Sequence, residues 1–152
     1  MLAKAAGLPA DMVFCDLEDS VAPLEKNDAT RARVVAALTG QAWLARTKVV
    51  RVNDVSTRWC FRDIVAVVSG AGEALDCIML PKVTGPDQVA FAHHLLGQLE
   101  LELGLRRRIG LEVQIEDARG AERVAQIADA SDRIETIIFG PGDYAAALGI
   151  PA

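Results

Sequence analysis

An α/β fold organised around a parallel sheet is what this sequence predicts, on three observations. Five short runs rich in aliphatic and β-branched residues punctuate the chain: VFCDLED (13–19), KVVRVN (48–53), CIMLPK (77–82), GLEVQIE (110–116) and TIIFGPGD (136–143). The stretches between them carry helical spacing, and three of the four end at glycines. The runs also recur at the length of one strand plus one helix, so strand and helix alternate throughout.

Taken in order, a helix-like segment MLAKAAGLPAD leads into the first strand. Helices are then expected over Ala29–Leu38, stopped by Gly40, and over Phe61–Val68, stopped by Gly70. A longer one runs over Pro86–Leu103, stopped by Gly104, and a last one over Ala118–Ala130. No low-complexity linker interrupts the series, so residues 1–152 form a single domain.

Repeated βα units fit either a doubly wound sheet or a (β/α)₈ barrel, and alternation within the strands favours the barrel. In LEVQIE, Leu111, Val113 and Ile115 share one face and Glu112, Gln114 and Glu116 the other. A sheet covered by helices on both faces would bury that polar row against apolar cover. A barrel interior opening onto a site accepts it, and Arg51 and Asn53, opposite Val50 and Val52, repeat the pattern. The expected fold is thus α/β of the (β/α)₈ TIM-barrel type. A whole barrel needs ~250 residues, so the chain reads as truncated to about five βα units, cut at both ends. The open edges of such a sheet predict association.

Composition narrows the function classes. Half of the residues are hydrophobic (51%) and 24% are charged, as in a globular domain. A net charge of -5 argues against nucleic acid, whose phosphates need a dense basic surface. Cys15, Cys60 and Cys77 are widely spaced with no CxxC, which reads as reduced thiols. No signal peptide and no long apolar span is evident, so the expectation is a cytoplasmic protein that does not engage a membrane.

Chemistry in such barrels gathers at the C-terminal ends of the strands. Those ends carry Asp16, Glu18 and Asp19, then Arg51 and Asn53, then Lys82, then Glu116 and Asp117, then Asp143. Asp19, Asp54 and Asp117 each also suit a helix N-cap. Oxygen ligands without a matching His or Cys cluster point to Mg²⁺ or Mn²⁺. Other features read as structural: adjacent His93 and His94 diverge on a helix, and Arg106–Arg108 follow a helix end, with contact to phosphates as the less favoured reading. GPG at 140–142 is too short for a P-loop and suits the turn that places Asp143, and Trp43 and Trp59 suit packing.

DLEDSVAP with Lys26 behind it, VRVN at 50–53, MLPKV at 79–83, VQIE at 113–116 and FGPGDY at 139–144 stand in one order and spacing. In that order they resemble the HpcH/HpaI aldolase and citrate lyase β-subunit family. RWCFRDIV and ADASDRIETIIFGPGDYAAALGI look most like its malyl-CoA lyase branch. The resemblance implies a (β/α)₈ barrel that makes or breaks a carbon–carbon bond between a CoA thioester and a 2-oxo acid such as glyoxylate or oxaloacetate. It also implies a divalent metal and a homo-oligomer, trimeric or hexameric in full-length members.

Residue by residue, the resemblance implies Glu116 and Asp143 as metal ligands and Arg51 as the grip on the 2-oxo acid. Arg51, Glu18, Asp19 and Lys82 are the candidate catalytic group, and Arg51, Asn53, Pro81, Lys82 and Gly140 the candidate substrate contacts. Glu18 and Asp19 would shape the outer shell of the metal site and pair with Arg51 or Lys82. Of Glu18 and Asp16, which share a strand face, Glu18 is expected to point inward. Asp117 stands where the family usually has Thr or Ser, and the resemblance implies that the family's first strand, its last two strands and the segment that brings a catalytic Asp to a neighbouring subunit are missing from this chain. Two rival readings remain: Lys82 as a Schiff-base nucleophile of a metal-independent aldolase, or a truncated, non-catalytic subunit.

Overall fold

A computed structural model describes residues 2–150 of the chain. Its five strands are β1 (Met12–Asp16), β2 (Thr47–Arg51), β3 (Cys77–Leu80), β4 (Gly110–Ile115) and β5 (Ile134–Phe139). The helices are α1 (Leu2–Ala6), α2 (Asp28–Gly40), α3 (Cys60–Ala71), α4 (Pro86–Leu103), α5 (Ala118–Glu122), α6 (Val124–Ala128) and α7 (Pro141–Ala147). Every strand pair is parallel, and spatial order follows sequence order from β1 to β5. A doubly wound sheet must reverse its strand order partway. This one does not, so successive crossovers place their helices on the same side, as in the wall of a TIM-type barrel.

The two sheet faces differ as the alternation predicts. Outward-facing Val50, Ile78, Leu80, Leu111, Val113 and Ile115 form a continuous core with Leu38 of α2, Ile64 and Val67 of α3, Leu96 of α4 and Ile127 of α6. Inward, among the described residues, the buried Val49, Cys77 and Met79 form a small apolar layer, with Ile138 packed against it. Next to that layer on the inner face, Glu112 Oε2 and Gln114 Oε1 are buried without a hydrogen-bond partner. Burial pushes the Glu112 carboxyl above its usual range.

Element ends follow local chemistry. The side chain of Asn27 caps α2 by accepting the Thr30 N–H (3.2 Å). Pro86 opens α4, whose C-terminus closes at Gly104 in the left-handed conformation (φ 64°). The strands stop earlier than the apolar runs suggest. β1 ends because the Asp16 carboxylate captures the N–H groups of Glu18 (2.9 Å) and Ser20 (3.0 Å), which turns the backbone. The expected helix over Ala118–Ala130 is two short ones, broken at Arg123 (φ -104°, ψ 12°). Asp143 lies in the first turn of α7 and not at a strand end, because Pro141 starts a helix directly after β5.

Candidate active site and metal centre

The site forms where β1 and β2 end side by side. Parallel register sets Asp16 against Arg51. Arg51 donates to Asp16 through one edge of its guanidinium, Nε to Oδ1 at 2.8 Å and Nη2 to Oδ2 at 2.6 Å. Burial alone would raise the Asp16 carboxyl, but Arg51 and the captured N–H groups hold it well below the usual carboxylate range. The Asp16 pairing in turn raises Arg51. Its other edge, Nη1 with the second Nη2 hydrogen, faces Glu18 Oε2 at 3.7 Å, beyond hydrogen-bond length. A guanidinium fixed along one edge presents the other to a planar carboxylate.

The expectation that Glu18 rather than Asp16 turns inward needs correction. Because the strand ends at Asp16, the shared-face parity no longer applies, and both carboxylates meet Arg51. Glu18 is 5% exposed and accepts Lys82 Nζ at 2.6 Å, while exposed Asp19 accepts the same ammonium at 3.1 and 3.3 Å. Asp143 Oδ2 stands 3.9 Å from that nitrogen. Burial raises the Glu18 carboxyl with partial offset from Lys82, whereas on Asp19 the bonds from Glu18 and Lys82 outweigh desolvation and lower it. On Lys82 the bonds to Glu18 and Asp19 outweigh desolvation and raise the ammonium above its ordinary value.

Lys82 is also the one residue other than glycine with positive φ (54°) among those described. A left-handed residue carrying a side chain costs about 1 to 2 kcal/mol. Its N–H donates to Glu116 Oε2 at 2.9 Å.

Glu116 follows β4 and is 7% exposed. It fits beneath the start of α7 because residue 140 is glycine: a Cβ there would lie 2.6 Å from Glu116 Cγ and 2.7 Å from its Oε1. Burial raises the Glu116 carboxyl, the Lys82 N–H lowers it, and the Asp143 charge raises it again. With Oε2 engaged by the Lys82 N–H, the Oε1 side of Glu116 and the Asp143 carboxylate, which stands 3.9 Å from Lys82 Nζ, are the two oxygen donors least occupied by protein groups. That donor set fits Mg²⁺ or Mn²⁺, which take one or two carboxylates and complete their shell with water and ligand oxygens. It does not suit Zn²⁺, and no group of three or more His, Cys, Asp or Glu forms a ligand set among the described residues.

Two of the expected substrate contacts are placed differently. Asn53 is 1% exposed and its amide is committed: Nδ2 donates to Leu17 O (2.9 Å) and Asp63 Oδ2 (2.6 Å), and Oδ1 accepts Lys26 Nζ (2.5 Å). It straps the ends of β1 and β2 to α3. Pro81, directly before Lys82, is buried. Sequence reasoning missed Asp16 as the partner of Arg51, and it missed Asp63. That carboxylate, 1% exposed, accepts Arg31 Nε at 2.7 Å and the Asn53 N–H at 3.0 Å. The visible signal was a charged residue at a buried position of the RWCFRDIV helix. Over this strap lies a cavity of about 360 Å³ lined by Lys26, Arg31, Arg58, Trp59 and Arg62 with Asn27 and Asp28.

The remaining candidates have structural partners of their own. Asp117 caps α5 by accepting the Gly120 N–H at 2.7 Å. Arg107 and Arg108 pair with Asp76 and Asp132 at the N-terminal ends of the strands, opposite the site. His93 Nδ1 meets Ser131 Oγ at 2.7 Å. The Trp43 indole donates to Ala37 O, and Trp59 lies beside Lys26 and Arg58. All three cysteines are buried, and burial pushes their thiols up, Cys15 to about 11 and Cys60 and Cys77 to about 12. No described helix is long and apolar enough to cross a membrane.

The family model for HpcH/HpaI aldolase/citrate lyase matches residues 1–152. An L-malyl-CoA/beta-methylmalyl-CoA lyase of Cereibacter sphaeroides is 37% identical over 147 residues, covering 97% of this chain and 46% of that protein. The citrate lyase subunit beta of Escherichia coli is 34% identical over 145 residues, 95% of this chain and 47% of that protein. A Haloferax volcanii malate synthase, solved as a pyruvate/acetyl-CoA ternary complex, superposes with a TM-score of 0.83 at 21% identity, over 100% of this chain and 46% of that one. The chain thus spans about half the length of the curated relatives it matches.

Proposed function

Since the chain belongs to the HpcH/HpaI aldolase/citrate lyase family, we propose that it carries the metal and 2-oxo-acid half of a carbon–carbon lyase site. The reaction is cleavage or formation of a malyl-CoA-like or citramalyl-CoA-like thioester, giving an acyl-CoA and a 2-oxo acid. Related proteins named malyl-CoA/beta-methylmalyl-CoA lyase and citrate lyase subunit beta support that substrate class.

One observation carries the reading: among the described residues, five carboxylates, Asp16, Glu18, Asp19, Glu116 and Asp143, gather at the strand ends around two side-chain cations, Arg51 and Lys82, and Asp143 comes no nearer to Lys82 than 3.9 Å. Glu116 and Asp143 would hold Mg²⁺ or Mn²⁺, which supplies Lewis-acid polarisation of the 2-oxo acid carbonyl when bound. Arg51 holds the acid's carboxylate through its outer edge, and Asp16 fixes Arg51 so that binding loses little side-chain freedom. Glu18 and Asp19 hold Lys82 across the mouth. A Schiff-base role for Lys82 is disfavoured, because its two carboxylate partners raise the ammonium and keep it protonated at neutral pH.

Calorimetry with glyoxylate and with oxaloacetate, each with and without Mg²⁺, tests the reading. Metal-dependent binding that Arg51→Lys weakens is expected. Absence of binding to either acid in the presence of metal would refute it.

A further inference from the structure

Lys82 joins parts of the sheet that do not touch. Its main chain lies between β3 and β4, where its N–H reaches Glu116, and its side chain crosses to the loop after β1. On the far side of the turn, the Val83 N–H bonds the Gln114 carbonyl of β4 at 3.1 Å. On the near side, Pro81 has no N–H to offer. The restraint that remains is the ammonium, clamped at 2.6 Å on buried Glu18 and at 3.1 Å on Asp19.

Left-handed backbone at a residue with a four-carbon stem persists only where its surroundings overdetermine it. We propose that Lys82 is a positioning residue for Glu116: the ion pairs of its ammonium with Glu18 and Asp19 hold its backbone left-handed, and that conformation aims its N–H at Glu116 Oε2. Glu116 is thereby fixed with its Oε1 side turned to the Gly140 and Asp143 side of the mouth, where the reading above places the metal, and the metal part of this inference rests on that reading. Glu18 and Asp19 then act on Glu116 from across the site without touching it.

Two substitutions of equal charge separate this from simple electrostatics. Lys82→Gly and Lys82→Met both remove the ammonium, so a charge effect moves both alike. Glycine adopts positive φ without a steric penalty and keeps the N–H in place. Methionine loses the clamp and retains the strain, so its backbone relaxes. Mn²⁺ titration followed by electron paramagnetic resonance is expected to give a dissociation constant about tenfold weaker for Lys82→Met than for Lys82→Gly, the ratio that the left-handed penalty sets. In the metal-free chain, hydrogen exchange at the amide of residue 82 is expected to be slow in the wild type and in Lys82→Gly and fast in Lys82→Met. That second readout decides the proposal even if Mn²⁺ binds none of the three, an outcome that would remove the metal reading alone. Equal Mn²⁺ constants in the two variants, or equal amide protection where Mn²⁺ does not bind, would overturn the positioning role.

Discussion

The two ends of the five strands are both rich in charge, yet the charges are balanced in opposite ways. At the N-terminal end, Arg107 and Lys48 share Asp76, Arg108 meets Asp132, and buried Arg133 forks onto Glu100 through two bonds of 2.6 Å. At the C-terminal end, Asp16, Glu18, Asp19, Glu116 and Asp143 meet two cations among the described residues, Arg51 and Lys82. Paired charge closes a surface, whereas uncompensated carboxylates held in place by a fold keep room for a cation. Glu112 shows the limit of the contrast: it is buried on the inner face without a cation, and burial shifts it towards its neutral form.

The contrast breaks most visibly at Arg133. Replacing it with alanine strips the half-buried Glu100 and the Ile109 carbonyl of their donor, and should cost about 3 to 5 kcal/mol, read as a fall in Tm or in the denaturant midpoint. Mn²⁺ affinity of the remaining folded protein should not change. At the other end, Arg51→Lys removes both the Asp16 fork and the edge offered to substrate. A loss of ~1 to 3 kcal/mol in 2-oxo acid binding is expected by calorimetry.

Glu116→Gln sharpens the comparison because its effect on stability has the opposite sign. A carboxyl whose folded pKa is raised contributes stability at low pH that is lost as pH rises through the titration, so ionised Glu116 burdens the metal-free fold at neutral pH. Its glutamine variant should be more stable without metal by ~0.5 to 2 kcal/mol, an increment that shrinks on acidification. Asp16 runs the other way: its lowered carboxyl contributes stability that is present at neutral pH and lost only in strong acid. The smallest effect is expected at the exposed rim, where Asp132→Asn should leave Tm within error.

How much of this was legible in the sequence follows from what alternation encodes. Leu111, Val113 and Ile115 against Glu112, Gln114 and Glu116 were enough to orient β4 and to favour a barrel, since side-chain period fixes the face. Pro86 and Gly104 marked both ends of α4. Register is not in the alternation, so nothing in DLEDS revealed that Asp16 stands opposite Arg51. Asn53 read as a site residue because it follows Arg51 by two. The strand had already ended, and the side chain turned outward to Asp63, a partner on a covering helix that no local pattern predicts. Gly140 was recognised as a turn, while its use as space for Glu116 requires the neighbouring strand.

Titration of Mn²⁺ into the wild type, Glu116→Ala and, as a control from the opposite end, Asp132→Asn tests the account most directly. The wild type and the Asp132 variant are expected to bind one ion with the same affinity. Glu116→Ala should bind at least ~10-fold more weakly, as expected where a charge-assisted contact is lost. Equal affinity in all three would show that the carboxylate excess at the C-terminal strand ends is not a metal site.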